Sequence, residues 1–393
     1  MKDCKAIINN IHSLIRKYKH KREKPLVIQM PITSRCNSRC KTCNIWKSKS
    51  TNDIDPIALE KALSDPFFDR VQTVGVNGGE ITLVPNFLDV LKAILTLPSL
   101  HNVYLISNGL LPEKLYSYMS KAKTLCNDKK VYLHLCLSVD GYGDVHDIVR
   151  GVPGAFVRTK TILDEFKKDY HLYCHSFSIG STISKYNIGF IRETENFLNN
   201  YPFPIEYHLA VPNRRIGTYN DYEDYYVLQD EESRLLAAEY FFTQYLQETN
   251  NREKQRLFAI YYFLKNKGKK RLCCCDYLDR DVTIDENLNL RLCATASGVI
   301  GNLKNESATK IIASNKTRKA RQEIKKRCDT CIHYAYHPLT IKGSWIFSKV
   351  TNNYQDVLVH YHNMSVTKGN RFITYKKRVQ GVFRCIKSIL ENR

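Results

Sequence analysis

The chain has 393 residues, enough for one large domain and a smaller one, and its 43% hydrophobic and 25% charged residues are ordinary for a globular protein. No run of about 20 apolar residues is present, which excludes a simple membrane span, and the first residues, Met1-Lys-Asp-Cys-Lys, lack the apolar core of a signal peptide. The net charge of +21 points to a nucleic acid, an anionic membrane surface or an acidic partner without choosing among them, and a solvated basic surface is the default for most of the lysines.

Residues 3–20 form an amphipathic pattern with Ile7, Ile8, Ile11, Leu14, Ile15 and Tyr18 on one face, so 1–25 is read as an N-terminal helix and basic linker. Six strands are predicted next, at Leu26–Met30, Val71–Val76, Val103–Ile106, Val131–Val139, Phe177–Ile183 and Ile205–Val211. Helical patterns separate most of them. Asp55-Pro56 reads as a helix start, and 86–96 as a helix. This alternation over 26–215 predicts a parallel sheet covered by helices. Six strands do not close an eight-fold barrel, so the fold class is α/β: a partial (β/α)6 barrel of TIM type with a small C-terminal α+β domain. In such barrels ligands sit at the C-terminal strand ends.

Residues 216–270 read as a mostly polar, helical connector with apolar positions such as Leu235, Leu236, Tyr240 and Phe241, and 271–340 hold a second group of cysteines. Within that group Val282–Cys293 reads as a hairpin turning near Asp285–Asn287. Residues 341–393 are a basic tail, in which Phe372, Tyr375, Val379, Val382, Phe383, Ile386, Ile389 and Leu390 recur at helical spacing. Such a helix packs on its own domain or lies on an anionic membrane.

Fourteen cysteines in a chain with no export signal suit a reducing cytoplasm, as metal ligands or buried thiols rather than disulfides. Cys36, Cys40 and Cys43 follow the first strand as C-x3-C-x2-C. Three thiolates on one loop can hold a cubane [4Fe-4S] cluster and leave one iron open to bind a small molecule. The competing assignment is zinc, which usually takes four ligands in two pairs; here the next thiol, Cys126, is far along the chain.

The loop resembles the cluster loop of the radical S-adenosylmethionine (radical SAM) superfamily, although Thr42 stands where many members carry an aromatic residue. Val76-Asn-Gly78-Gly79-Glu80, at the end of the second strand, resembles the family's Gly-Gly-Glu motif for the amino group of SAM, with Ile81 in place of the usual proline. Two glycines permit close backbone approach, and a carboxylate can face an ammonium group. Ser107-Asn108 and Ser138-Val-Asp140 resemble stretches that line the SAM site in relatives, the second near the ribose. Gly180 and Ser184 fall where relatives contact adenine or methionine. His146–Phe156 is similar to a segment of members with an extra cluster domain. Its Arg150 suits a carboxylate, a phosphate or a structural ion pair.

Cys275, Cys293, Cys328 and Cys331 give C-x17-C-x34-C-x2-C, which resembles the twitch domain, the shorter relative of the SPASM domain, and implies one auxiliary [4Fe-4S] cluster. Cys273, Cys274 and Cys275 are consecutive, and Cys275 is chosen for its spacing. A structural zinc fits the same pattern.

The resemblance implies reductive cleavage of SAM to a 5′-deoxyadenosyl radical that abstracts hydrogen. It also implies an oxidoreductase-type outcome and an electron donor such as a flavodoxin or ferredoxin. A sugar- or aminocyclitol-like small molecule is the favoured substrate, and a peptide, as for a radical SAM maturase, is the alternative. A zinc-stapled basic nucleic-acid-binding protein is the other alternative. It leaves Gly78-Gly79-Glu80 unexplained, and no aromatic-basic RNA motif accompanies it.

Overall fold

The computed structural model describes residues 23–48, 52–219, 221–333, 335 and 341–352. The helices read from sequence at 3–20 and in the basic tail lie outside the described residues.

The chain alternates from the start. Strand β1 (Val27–Pro31) leads through the cysteine loop to α1 (Pro56–Leu63) and β2 (Thr73–Asn77). Then follow α2 (Phe87–Ile94), β3 (Asn102–Ser107), α3 (Pro112–Asp128), β4 (Tyr132–Ser138), α4 (Asp144–Arg150), α5 (Ala155–Asp169), β5 (Ser176–Ile183), α6 (Ile191–Leu198) and β6 (Ile205–Leu209). Helix α1 begins as its sequence directs. The Asp55 carboxylate accepts from Ile57 N at 3.0 Å and Ala58 N at 3.3 Å, satisfying donors that the helix start leaves open.

Strands β1 to β6 are parallel and neighbour one another in order, which bears out the partial barrel. Alternate strand positions divide two environments. Val103, Leu105, Leu133, Leu135, Phe177 and Ile179 are buried in one core with Leu115 and Met119 of α3 and Ile162 and Phe166 of α5. Positions between them face away from the helices and carry a polar chain. Tyr104 and Ser178 donate to Glu206 Oε1 at 3.3 and 2.8 Å, and His134 Nε2 lies 2.8 Å from Ser178 Oγ. The Tyr104 and His134 rings stack at 4.4 Å. Burial pulls the His134 pKa down.

After β6 come α7 (Glu231–Gln247) and α8 (Asn251–Lys265). The connector is helical, and its apolar positions Tyr240 and Phe241 are buried together with part of its polar character. Tyr240, Phe241, Tyr245, Phe258 and Phe263 of these helices form a second buried core with Ile183, Tyr207 and Leu209. Two arginines account for the polar part. Arg234 donates to Leu264 O and Arg256 to Tyr207 O, both at 3.0 Å, so charges that look solvated in sequence are spent on buried carbonyls.

Strands β7 (Val282–Ile284), β8 (Asn289–Arg291) and β9 (Val299–Asn302) follow, then α9 (Ala308–Ala313), α10 (Asn315–Cys328) and α11 (Ile341–Asn352). The hairpin forms where expected, β7 against β8. Strand β7 also runs parallel to β1, with Ile28 opposite Val282, so nine strands make one sheet. The Asp281 carboxylate fixes that register by accepting from Leu26 N at 3.2 Å and Val27 N at 3.1 Å. Among the described residues no helix is long and apolar enough to cross a membrane.

Candidate functional site

The cysteine loop leaves β1 at the C-terminal edge of the sheet and is held from two sides. On one side Gly79 N donates to Thr33 O and Glu80 N to Arg35 O, each at 2.8 Å. On the other, Arg39 N donates to Arg150 O at 2.8 Å and Lys41 N to Val149 O at 2.9 Å. Glycine is required at both contacts. A Cβ on Gly79 would collide with the Arg35 carbonyl, and one on Gly151, where φ is +63°, with the Arg39 carbonyl. Close approach at Gly78 and Gly79 therefore serves the cysteine loop itself, a task the sequence did not reveal.

Glu80 also has a structural task. Its carboxylate is 1% exposed. Oε1 accepts from Thr82 N, Thr82 Oγ1 and Ser107 Oγ at 3.1, 2.9 and 2.8 Å, and Oε2 from Asn108 N at 2.7 Å. Burial pushes its pKa up, and the four donors pull the other way. Asn108 carries the connection onward. Its Nδ2 donates to Asn37 Oδ1 at 2.8 Å and Ser38 Oγ at 3.2 Å, and lies 3.9 Å from Cys36 Sγ. Residues of the β2 and β3 ends thus form a bracket under the first thiol.

A second bracket supports Cys40. Asp140 follows β4 and is 3% exposed; its carboxylate accepts from Thr182 N at 2.7 Å and pairs with Arg150 Nη2 at 2.8 Å. Arg150 Nη1 lies 3.8 Å from Cys40 Sγ. Of the uses open to Arg150, the ion pair is present, while its Nε is buried without a partner. Burial pushes Asp140 up, and Arg150 opposes that. His146 Nδ1 accepts from Asp140 N at 3.1 Å, and burial, reinforced by Arg150, holds its pKa well below the usual value.

The remaining predicted positions differ in kind. Ser138 and Gly180 are register partners on β4 and β5 and are half-buried. Ser184 is fully buried in a turn, with its N and Oγ donating to Asn187 Oδ1 at 2.7 and 3.2 Å.

The loop thiols suit a metal cluster by their chemistry. Burial, and then mutual repulsion, pushes Cys36 up to about 11 and Cys43 up to about 12. Thiolates gathered here need a cationic centre to neutralise them, which bound iron supplies.

The second group also converges. Cys275, Cys293, Cys328 and Cys331 line one cavity, with Arg271, His333, Gln29 and Thr295 among its other walls. Burial pushes Cys275 and Cys328 up to about 12, as at the first site. Four thiols around one cavity are a donor set that fits an iron–sulfur cluster, as it also fits zinc. Arg271 and His333 escaped the sequence reading, although Arg271 stands four residues before Cys275 and His333 two after Cys331.

No family model matches the chain. It is 27% identical over 177 residues to the AdoMet-dependent heme synthase of Methanosarcina barkeri, a match that covers 43% of this chain and 46% of that relative. The chain therefore spans under half the length of that curated relative. In fold it is similar to anSMEcpe with bound AdoMet, at 16% identity and a TM-score of 0.54 over 77% of this chain and 86% of that one. It is also similar to Streptococcus suis SuiB bound to S-adenosylmethionine, at 16% identity and a TM-score of 0.55 over 83% and 73%. The barrel that presents the cysteine loop is thus the fold of two proteins solved with bound S-adenosylmethionine, and part of the sequence is similar to an AdoMet-dependent enzyme.

Proposed function

We propose that this chain is a SAM-cleaving oxidoreductase with two iron–sulfur centres. Cys36, Cys40 and Cys43 hold the first, and Cys275, Cys293, Cys328 and Cys331 the second. When bound, the first centre with SAM supplies a 5′-deoxyadenosyl radical that takes hydrogen from a substrate, and the second supplies an acceptor for an electron that the substrate gives up. The double bracket on the cysteine loop carries this reading. It is built from residues that are not ligands, and it fixes the thiols at the mouth of the barrel.

The chain's own residues divide the work. Gly78, Gly79, Glu80, Ser107 and Asn108 set one wall of the SAM site. Asp140 sets another through Arg150, whose unpartnered Nε suits the carboxylate of a ligand. Ser138 and Gly180 line the strand ends, and Ser184 holds the turn behind them. Such walls position the target C–H and exclude water, which governs both rate and selectivity. An external one-electron donor, such as a flavodoxin or ferredoxin, completes the reaction in a reducing cytoplasm.

The polar chain Tyr104–Glu206–Ser178–His134 favours a small polar substrate, such as a sugar or aminocyclitol, because a barrel interior is ordinarily filled with branched apolar side chains. A peptide substrate is the second reading. SuiB bound to its precursor peptide SuiA and anSMEcpe bound to a peptide share this fold. Mass analysis of products from each substrate class separates the two. The assignment as a whole is tested by iron and sulfide content and by 5′-deoxyadenosine formation. Replacing Cys36, Cys40 and Cys43 with Ala is expected to abolish that product. Undiminished formation, or zinc alone in the purified protein, contradicts the proposal.

A further inference from the structure

The run Cys273-Cys274-Cys275 offers three thiols where one cluster position needs one. Side chains two residues apart on extended backbone share a face. Cys275 is extended, with φ −138° and ψ 119°. Alternation alone therefore does not separate Cys273 from Cys275.

Their surroundings do. Cys275 lines the cavity with Cys293, Cys328 and Cys331, whereas Cys273 and Cys274 are not among its lining residues. Cys273 is 2% exposed and lies against Arg271, which is itself 8% exposed. Arg271 Nη2 donates to Cys273 Sγ at 3.2 Å and to Cys274 O at 2.9 Å, and Nε donates to Cys273 O at 2.7 Å. One planar guanidinium thus grips a thiol and two carbonyls of the run. The same side chain forms part of the cavity wall.

We propose that Arg271 is the positioning residue of the second centre: it keeps Cys273 out of the ligand set, leaves Cys275 to the cluster and places a permanent positive charge beside it. This rests on the auxiliary-centre reading above. The guanidinium stays protonated in proteins. A buried cation next to a cluster favours the state that holds one more electron, because cluster potentials respond to nearby charge and to hydrogen bonds at the sulfurs. Arg271 therefore makes the second centre a readier electron acceptor. A merely structural clamp would affect stability but neither ligand identity nor potential.

The test uses the full chain with Cys36, Cys40 and Cys43 replaced by Ala, reconstituted anaerobically, so that only the second centre is read. Iron and sulfide are counted, and the midpoint potential is taken from an EPR-monitored redox titration. Cys273→Ala is expected to keep about four iron atoms per chain and the parent spectrum. Cys275→Ala is expected to lose that cluster. Arg271→Met is expected to retain iron at a more negative midpoint, and Arg271→Lys, which keeps the charge, to stay nearer the parent. Combining Arg271→Met with Cys275→Ala is expected to restore iron, because Cys273 is released to replace the missing ligand. Loss of the cluster in Cys273→Ala, or a parent-like midpoint in Arg271→Met, overturns the proposal. Where Arg271→Met does not fold by circular dichroism, Cys273→Ala and Arg271→Lys decide it. A parent protein that takes up no iron overturns the auxiliary centre itself, and the sorting role with it.

Discussion

Glu80 shows how much a single side chain does here. Four donors converge on its carboxylate, and each is buried. Glu80→Ala leaves them unpaired, at about 1–3 kcal/mol for each donor not rescued by water. A loss of about 3 kcal/mol or more in the unfolding free energy of the metal-free protein is therefore expected from denaturant titration, and a loss under about 1 kcal/mol would show the bracket to be dispensable. His146 supplies a pH dependence. Its pKa in the folded state lies well below the ordinary value of about 6.5. The unfolded chain therefore binds more protons below pH 6.5, and stability falls as the pH drops from there. The expected contribution is about 1.4 kcal/mol per pH unit, and it is absent in His146→Asn. Equal acid slopes for the two proteins between pH 6.5 and 5 would contradict it. Cys36, Cys40 and Cys43 were legible in sequence because their spacing is chemistry in itself. The contacts of Glu80 with Asn108, of Asn108 with Cys36 and of Arg150 with Cys40 were not, because they join residues 28, 72 and 110 positions apart.

Elements of the barrel were legible for a local reason. Parallel strands are apolar on the face that meets the helices, and Asp55-Pro56 marks a helix start without help from tertiary contacts. Strand ends shifted by only a residue or two. In the segment 216–270 the apolar positions Tyr240 and Phe241 were legible and join a core, whereas composition cannot show that Arg234 and Arg256 point inward. Loops gave less away still. The two glycines that admit the cysteine loop are recognisable only once Arg35 and Arg39 are seen against them. Gly151→Ala is expected to leave the circular dichroism of the protein unchanged while lowering iron bound at the loop by more than half, measured with Cys275, Cys293, Cys328 and Cys331 replaced by Ala. Full iron loading in that variant would show that the close approach is not needed.

On the scale of the molecule, the two cysteine groups belong to one sheet. Pairing of β1 with β7 brings together residues more than 250 positions apart, and nothing local in the sequence announces it. The segment after β6 adds a second connection. Asn44 Nδ2 donates to Gly217 O at 3.3 Å, Arg214 N to Thr295 O at 2.8 Å, and Arg327 Nη1 to Tyr219 Oη at 2.8 Å. One short stretch thus touches the exit of the first loop and the rim of the second cavity. All of this presupposes that the first loop holds a cluster with an open iron. The most direct measurement is the EPR spectrum of the reduced, reconstituted protein, with the second group of cysteines replaced by Ala, recorded with and without SAM. A changed g-tensor on adding SAM is the expected result; superimposable spectra at saturating SAM would contradict the assignment.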